Sequence, residues 1–140
     1  MKIKIVKKKS ARMKSFSDKE WAIADTEHFG KPSRWQEENY YITAIEKNEL
    51  VGVLHFNIKA GVVEIITIIV THKHTNQGTG TKLMEKVEII AKNKKAHKLF
   101  LITGKGWKST NFYKKMGFKQ TGELKKHLLK KDWLEFSKFI

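Results

Sequence analysis

Apolar positions recur along this chain with two different periods, and the switches between them mark its elements. At residues 2–8 (KIKIVKK) they alternate with lysine, Ile3 and Ile5 on one side, which predicts an edge strand with its lysines facing water. Ser17-Asp18-Lys19-Glu20 matches the capping box, in which serine and glutamate side chains satisfy each other's backbone amides, and it precedes Trp21, Ala22, Ile23 and Ala24. A helix is expected from there to Phe29-Gly30, with Pro32 blocking simple continuation. A short helical turn is expected over residues 33–39. Two-residue alternation returns at 40–45 and at 50–58 (LVGVLHFNI), with Lys47-Asn48-Glu49 as the turn between them. Gly52 in the second run marks a bulge or a point of close approach. Ala60-Gly61 then turns the chain into Val62–Val70, a β-branched run in which only Glu64 and Thr67 are polar. Such a run, apolar on both faces, belongs in the middle of a sheet. Three strands in succession with short turns make an antiparallel meander.

After the polar stretch THKHTNQ the period lengthens. Leu83, Met84, Val87, Ile90 and Ala91 fall on one face of a helix running from Gly78 to about Asn93. Residues 99–103 (LFLIT) read as a buried strand, and a strand–helix–strand crossover pairs it parallel to Val62–Val70. Residues 107–116 predict another helix, ended by Gly117. Residues 118–124 and 128–139 are the closing strands. The expected fold class is α/β (α+β): a single domain with a mixed, mostly antiparallel sheet of about six to seven strands.

The chemistry concentrates at Gly78-Thr79-Gly80. Glycines before a helix let backbone amides approach an anion, and the helix N-terminus adds positive potential. Two familiar phosphate loops do not fit. The P-loop needs a glycine at position 75 and a lysine ahead of its Ser/Thr, whereas Thr75 stands there and Lys82 follows Thr81, and the dinucleotide fingerprint needs a third glycine where Leu83 stands.

The loop Thr75-Asn76-Gln77-Gly78-Thr79-Gly80 resembles the [QR]-x-x-G-x-[GA] motif of the GNAT superfamily, the acyl-CoA-dependent N-acyltransferases, with Thr75 at the usual Gln/Arg position. Asn111-Phe112-Tyr113-Lys114-Lys115-Met116-Gly117-Phe118 resembles that family's FYxKxGF segment, and the element order matches over residues 40–140. Gly106 and Ser109 stand where the family often has Asn and Ala. The resemblance implies a sheet splayed between its two central parallel strands. It implies an acetyl group moving from acetyl-CoA, as co-substrate, to a primary amine of a small molecule or protein. By resemblance the cofactor-binding set is the main chain of Ile68, Ile69 and Val70, then Thr75, Asn76, Gln77, Gly78, Thr79, Gly80, Thr81, Lys82 and Asn111. A strand bulge around Ile69 or Val70 would free an oxyanion-binding amide. Glu64, the only carboxylate in its strand, is the expected general base, its pKa raised by apolar surroundings. Tyr113 is the expected proton donor to the departing thiolate. The resemblance further raises homodimers paired through the C-terminal strands.

Composition adds two constraints. The formal charge is +15, and all but two of the 29 cationic side chains are lysine, Arg12 and Arg34 being the exceptions. That calls for a polyanionic partner, and lysine without arginine favours diffuse electrostatics over base reading. The alternative reading is therefore a basic nucleic-acid- or ribosome-binding module on the same scaffold without transferase activity. Zero cysteines exclude a thiol nucleophile and suit the cytoplasm. No apolar run reaches transmembrane length, so no membrane partner is expected. His72-Lys73-His74 has metal-like spacing but no further ligand, so no metal is expected.

Overall fold

The structure is a computed structural model that describes every residue except Arg34. The described residues form two compact units, Met1–Trp35 and Gln36–Ile140.

The first unit is built on one helix, α1 (Ala11–Phe29). Residues 2–8 form no strand and are exposed. The alternation there finds no second strand to satisfy its backbone, and an unpaired strand does not hold in water. The helix also starts two turns before the capping box. Ser10 is the N-cap, its Oγ accepting from the Met13 amide at 3.2 Å, and Ala11 to Lys14 are good helix formers. Ser17 thus lies within the helix, and Asp18 instead accepts from Lys14 at 2.5 Å. The end is where glycine placed it: Gly30 has φ 76° and its N–H donates to the Thr26 carbonyl. Asp25 is buried and accepts from Trp35 Nε1 at 2.9 Å. No helical turn occupies the described part of residues 33–39, since a strand already begins at Glu37; Arg34 lies outside the described residues.

The second unit is a six-stranded sheet in the order β1-β2-β3-β4-β6-β5. Its strands are β1 (Glu37–Glu46), β2 (Glu49–Lys59), β3 (Val62–Val70), β4 (Lys98–Gly104), β5 (Lys119–Leu124) and β6 (Trp133–Phe139). Two helices, α2 (Thr79–Asn93) and α3 (Ser109–Lys115), follow β3 and β4. All pairings are antiparallel except β3 with β4. The meander turns rest on positive φ at Lys47, Asn48, Ala60 and Gly61. Leu83, Met84, Val87 and Ala91 of α2 cluster with Leu54 and Phe56 of β2 and Val63 and Ile65 of β3, so α2 covers one face of the sheet. Gly52 is the close-approach point: a Cβ there would lie 3.2 Å from Leu83 Cδ1 and 3.4 Å from the Ile69 carbonyl. The bulge beside it belongs to Val51, skipped between the pairs Ala44–Gly52 and Ile45–Leu50.

One closing strand is shorter than expected. Residues 128–130 form a 3-10 turn instead of strand, with positive φ at Leu129 and Lys130, and Trp133 Nε1 ties back to the Leu128 carbonyl at 3.0 Å. No helix among the described residues is long and apolar enough to cross a membrane.

Candidate active site

The centre of the sheet is open. β3 and β4 pair only through Val62–Lys98, Val63–Leu99 and Glu64–Phe100, and beyond Glu64 no ladder bonds join them. The cause lies in β3. Ile66 is an extra residue between the pairs His55–Thr67 and Phe56–Ile65, and such a bulge bends its strand and raises the twist. The irregularity is therefore at Ile66 and not at Ile69 or Val70. It also shifts side-chain parity. Glu64, Thr67 and Ile69 lie opposite Asn57, His55 and Val53 on the face away from α2, whereas Ile65, Ile68 and Val70 turn to the core.

The same register aims the backbone. The Thr71 amide donates to the Val51 carbonyl at 2.9 Å, so the two-residue period turns the amides of Ile69 and Thr67 to β2. Those of Ile68 and Val70 turn to the opening.

Next to the opening, the loop after β3 enters α2 through Gly78, whose φ of 79° favours glycine. The Thr75 hydroxyl and the Gln77 amide bond back to the carbonyls of Thr71 (3.2 Å) and Lys73 (3.0 Å), so these side chains tie down their own loop. The backbone amides of residues 77–81 meet no acceptor among the described residues; the first bond of the helix is Lys82 N–H to the Gly78 carbonyl, at 3.0 Å. Five neighbouring donors stand at the positive end of a 15-residue helix, the kind of helix start that is able to receive an anion. Gly80 keeps it low, because a Cβ there would touch Phe112 of α3 at 3.4 Å. Thr81 is half-buried and Lys82 exposed. Asn111 is exposed on α3, its backbone amide donating to the Lys108 carbonyl at 3.2 Å.

Tyr113 is buried among Phe112, Phe118 and Phe136, with centroids 5.2, 6.0 and 6.4 Å away. Burial raises its phenol above the ordinary value. No buried side-chain oxygen or nitrogen among the described residues lacks a partner. The Tyr113 hydroxyl bonds to none of them, so it meets accessible space. Glu64 and Tyr113 do not touch; they occupy opposite faces of the sheet.

Residues 10–118 match the acetyltransferase (GNAT) family. The chain belongs to that family. Membership makes it an acyltransferase-class enzyme, and the open parallel pair of β3 and β4 is the GNAT fold. Solved structures agree. An acetyltransferase from Bacillus cereus ATCC 14579 superposes with TM-score 0.74 at 17% identity, covering 98% of each chain. A putative acetyltransferase from Agrobacterium tumefaciens gives 0.72 at 17% identity over 100% of both. A GNAT family acetyltransferase from Elizabethkingia anophelis, solved with acetyl-CoA bound, gives 0.68 at 26% identity, covering 73% of this chain and 76% of that one. No curated protein gave a match.

Three contacts of this GNAT site have no sequence signal. His74 Nδ1 lies 3.0 Å from Glu46 Oε2 and ties the loop after β3 to the end of β1. The Thr103 and Ser109 hydroxyls share a hydrogen bond of 2.8 Å between β4 and α3. The Trp107 ring lies so close over Gly104 that any Cβ there would clash. The first joins partners far apart in the chain, which no local pattern marks, and the shorter-range pair looks like ordinary loop polarity.

Proposed function

We propose that the protein transfers an acetyl group from acetyl-CoA to a primary amine by direct attack on the thioester. The observation that carries this is the opening between β3 and β4, which begins at Glu64 and lies beside five amides without acceptors. Those donors suit a diphosphate: they are neutral, adjacent and need no particular side chain, so Thr75 in place of Gln or Arg costs little.

Each remaining task falls to a residue of this chain. Glu64, on the face away from α2, takes the proton that the amine nitrogen loses; an alkylamine has a pKa of about 10.4 and needs a base at neutral pH. The Val70 amide, turned to the opening, donates a hydrogen bond to the carbonyl oxygen as charge develops on it, with Ile68 as the neighbouring donor. Tyr113 donates to the sulfur as the C–S bond breaks, and burial keeps that phenol protonated across the working range. An N–C bond forms, a C–S bond breaks, and amide and thiol leave. The base and the acid on opposite faces of the sheet match an amine arriving from one side and a thiol leaving on the other.

The test is calorimetric titration with CoA together with thiol release from acetyl-CoA over a panel of amines. Micromolar binding and amine-dependent release are expected. Neither binding nor release would refute the proposal.

A further inference from the structure

The loop that leads from β3 to the amides of residues 77–81 bonds to the rest of the sheet unit at few points. Its Thr75 and Gln77 side chains bond only within the loop, and its first amide, that of Thr71, donates to the Val51 carbonyl. Among the described residues one further tie holds it: His74 Nδ1 lies 3.0 Å from Glu46 Oε2 at the end of β1. The imidazole is 21% exposed and the carboxylate 56%. Both line a cavity of about 350 Å³ between β1 and α2, with Gln77, Thr79, Lys82 and Lys86 among the rest of its lining. The pair and the first of the free amides thus border one space on the α2 face, and every one of these residues belongs to the second unit.

We propose that His74 is a positioning residue for coenzyme A, acting through a charge-dependent tie to Glu46 that tightens binding as pH falls across the histidine range. The inference rests on the acetyltransferase reading above. A histidine is the side chain that changes charge between about pH 5 and 8. With its proton His74 makes an ion pair with Glu46, and a charge-assisted hydrogen bond is about twice as strong as a neutral one. The direction follows: the tie is at full strength while the imidazole is protonated, and it weakens as pH rises and the proton leaves. The charged groups around the imidazole are Glu46 from β1, Lys82 and Lys86 from α2, and Lys73 beside it in the loop, while β2 adds only Val51 to the lining. Two residues, Thr75 and Asn76, separate the tie from Gln77, so a loop held at His74 keeps the amides in place. A loop that swings loses affinity in proportion to the fraction displaced.

The experiment is calorimetric titration with CoA from about pH 5.5 to 8.5 at fixed ionic strength, on wild type, His74→Gln, Glu46→Gln, His74→Lys and His72→Gln, with thermal unfolding at each pH. Protons taken up by the phosphates of CoA add a slope common to all these proteins, so the readout is each variant's profile against that of wild type. From the acid to the alkaline end, wild type should lose about two- to fivefold more affinity than His74→Gln or Glu46→Gln, the range for a partly exposed ion pair. Glu46→Gln is the sharper test, because its amide oxygen still accepts from a neutral imidazole and only the charge is gone. His74→Lys, charged throughout, should keep the acid-end affinity of wild type at the alkaline end. His72→Gln, in the same loop but outside the cavity lining, should follow wild type. Parallel profiles for wild type, His74→Gln and Glu46→Gln overturn the inference and spare the acetyltransferase reading. A His74→Lys profile like that of His74→Gln, or a His72→Gln profile as flat as that one, overturns it as well. No CoA binding by wild type at any pH overturns both.

Discussion

Removing one oxygen separates the structural from the chemical role of Tyr113. In Tyr113→Phe the ring keeps its contacts with Phe112, Phe118 and Phe136, and the lost hydroxyl bonded to no described residue. Stability should therefore change by less than about 0.5 kcal/mol, whereas Tyr113→Ala, which empties the ring site, should cost about 3–5 kcal/mol. Catalysis is another matter. A phenol near 10 donating to a thiolate near 8.5 works uphill by about 2 kcal/mol, and burial pushes the phenol higher still. Full transfer is thus unfavourable, and the benefit comes from a hydrogen bond that strengthens as the sulfur gains charge. That places the loss in kcat at the low end of general-acid effects, about 10²-fold. A thioester with a more acidic thiol needs the donor less, so it should narrow the gap between variant and wild type. Thiol release at saturating amine, paired with thermal unfolding, measures both quantities. A variant that unfolds like wild type yet keeps kcat within threefold, with no dependence on the leaving thiol, refutes the acid role. Alkaline stability gives an independent check. Because the folded phenol titrates above its unfolded value, its stabilising contribution is intact below about pH 10 and is lost as pH rises past it. The Tyr113→Phe protein should lack that loss.

Glu64→Gln should lower kcat/KM for amines by about 10²-fold or more while acetyl-CoA affinity holds; unchanged turnover removes Glu64 from the chemistry. Gly78→Ala forces a side chain into φ 79° and should cost about 1–2 kcal/mol, with weaker CoA binding by calorimetry because the first turn of α2 shifts; full retention of affinity would show that binding does not depend on that turn. Lys138→Met removes the donor to Glu88 Oε1 (2.5 Å) and to the Met116 carbonyl (2.8 Å). With the Glu88 side chain only 17% exposed, the loss should be about 1–3 kcal/mol, seen as a lower denaturation midpoint at unchanged kcat.

What the sequence disclosed was what local chemistry decides. The glycine-led start of α2, the span of β3 and the glycine stop of α1 were legible because each follows from a few adjacent residues. The start of α1 was not. Ser10 lacks the glutamate three residues on that makes a capping box, Ser17 has it, and the competition was settled by the helix formers lying between them. Residues 2–8 have the alternation of a strand, yet alternation supplies a face and no neighbour, and a ladder needs the neighbour.

The site itself turns on a feature that leaves no trace in composition or period. Read as unbroken alternation, β3 would put Glu64 on the same face as Ile66, Ile68 and Val70, and Ile69 on the other. The extra residue at Ile66 reverses everything after it: Glu64, Thr67 and Ile69 share one face, while Ile68 and Val70 turn their side chains to the core. Because the Thr71 amide is fixed on Val51, the same bulged register leaves Val70 the N–H nearest the loop that points into the opening. A single inserted residue thus sets the splay, and the register on its two sides sets the face of the base and the identity of the oxyanion donor. Deleting Ile66 should therefore close the splay while leaving Glu64 opposite Asn57 and Val70 opposite Gly52, whereas Glu64→Gln removes the base and leaves the splay. A deletion variant that still folds and binds CoA should be less active than Glu64→Gln, and activity at or above that variant's would break the link between the bulge and the chemistry.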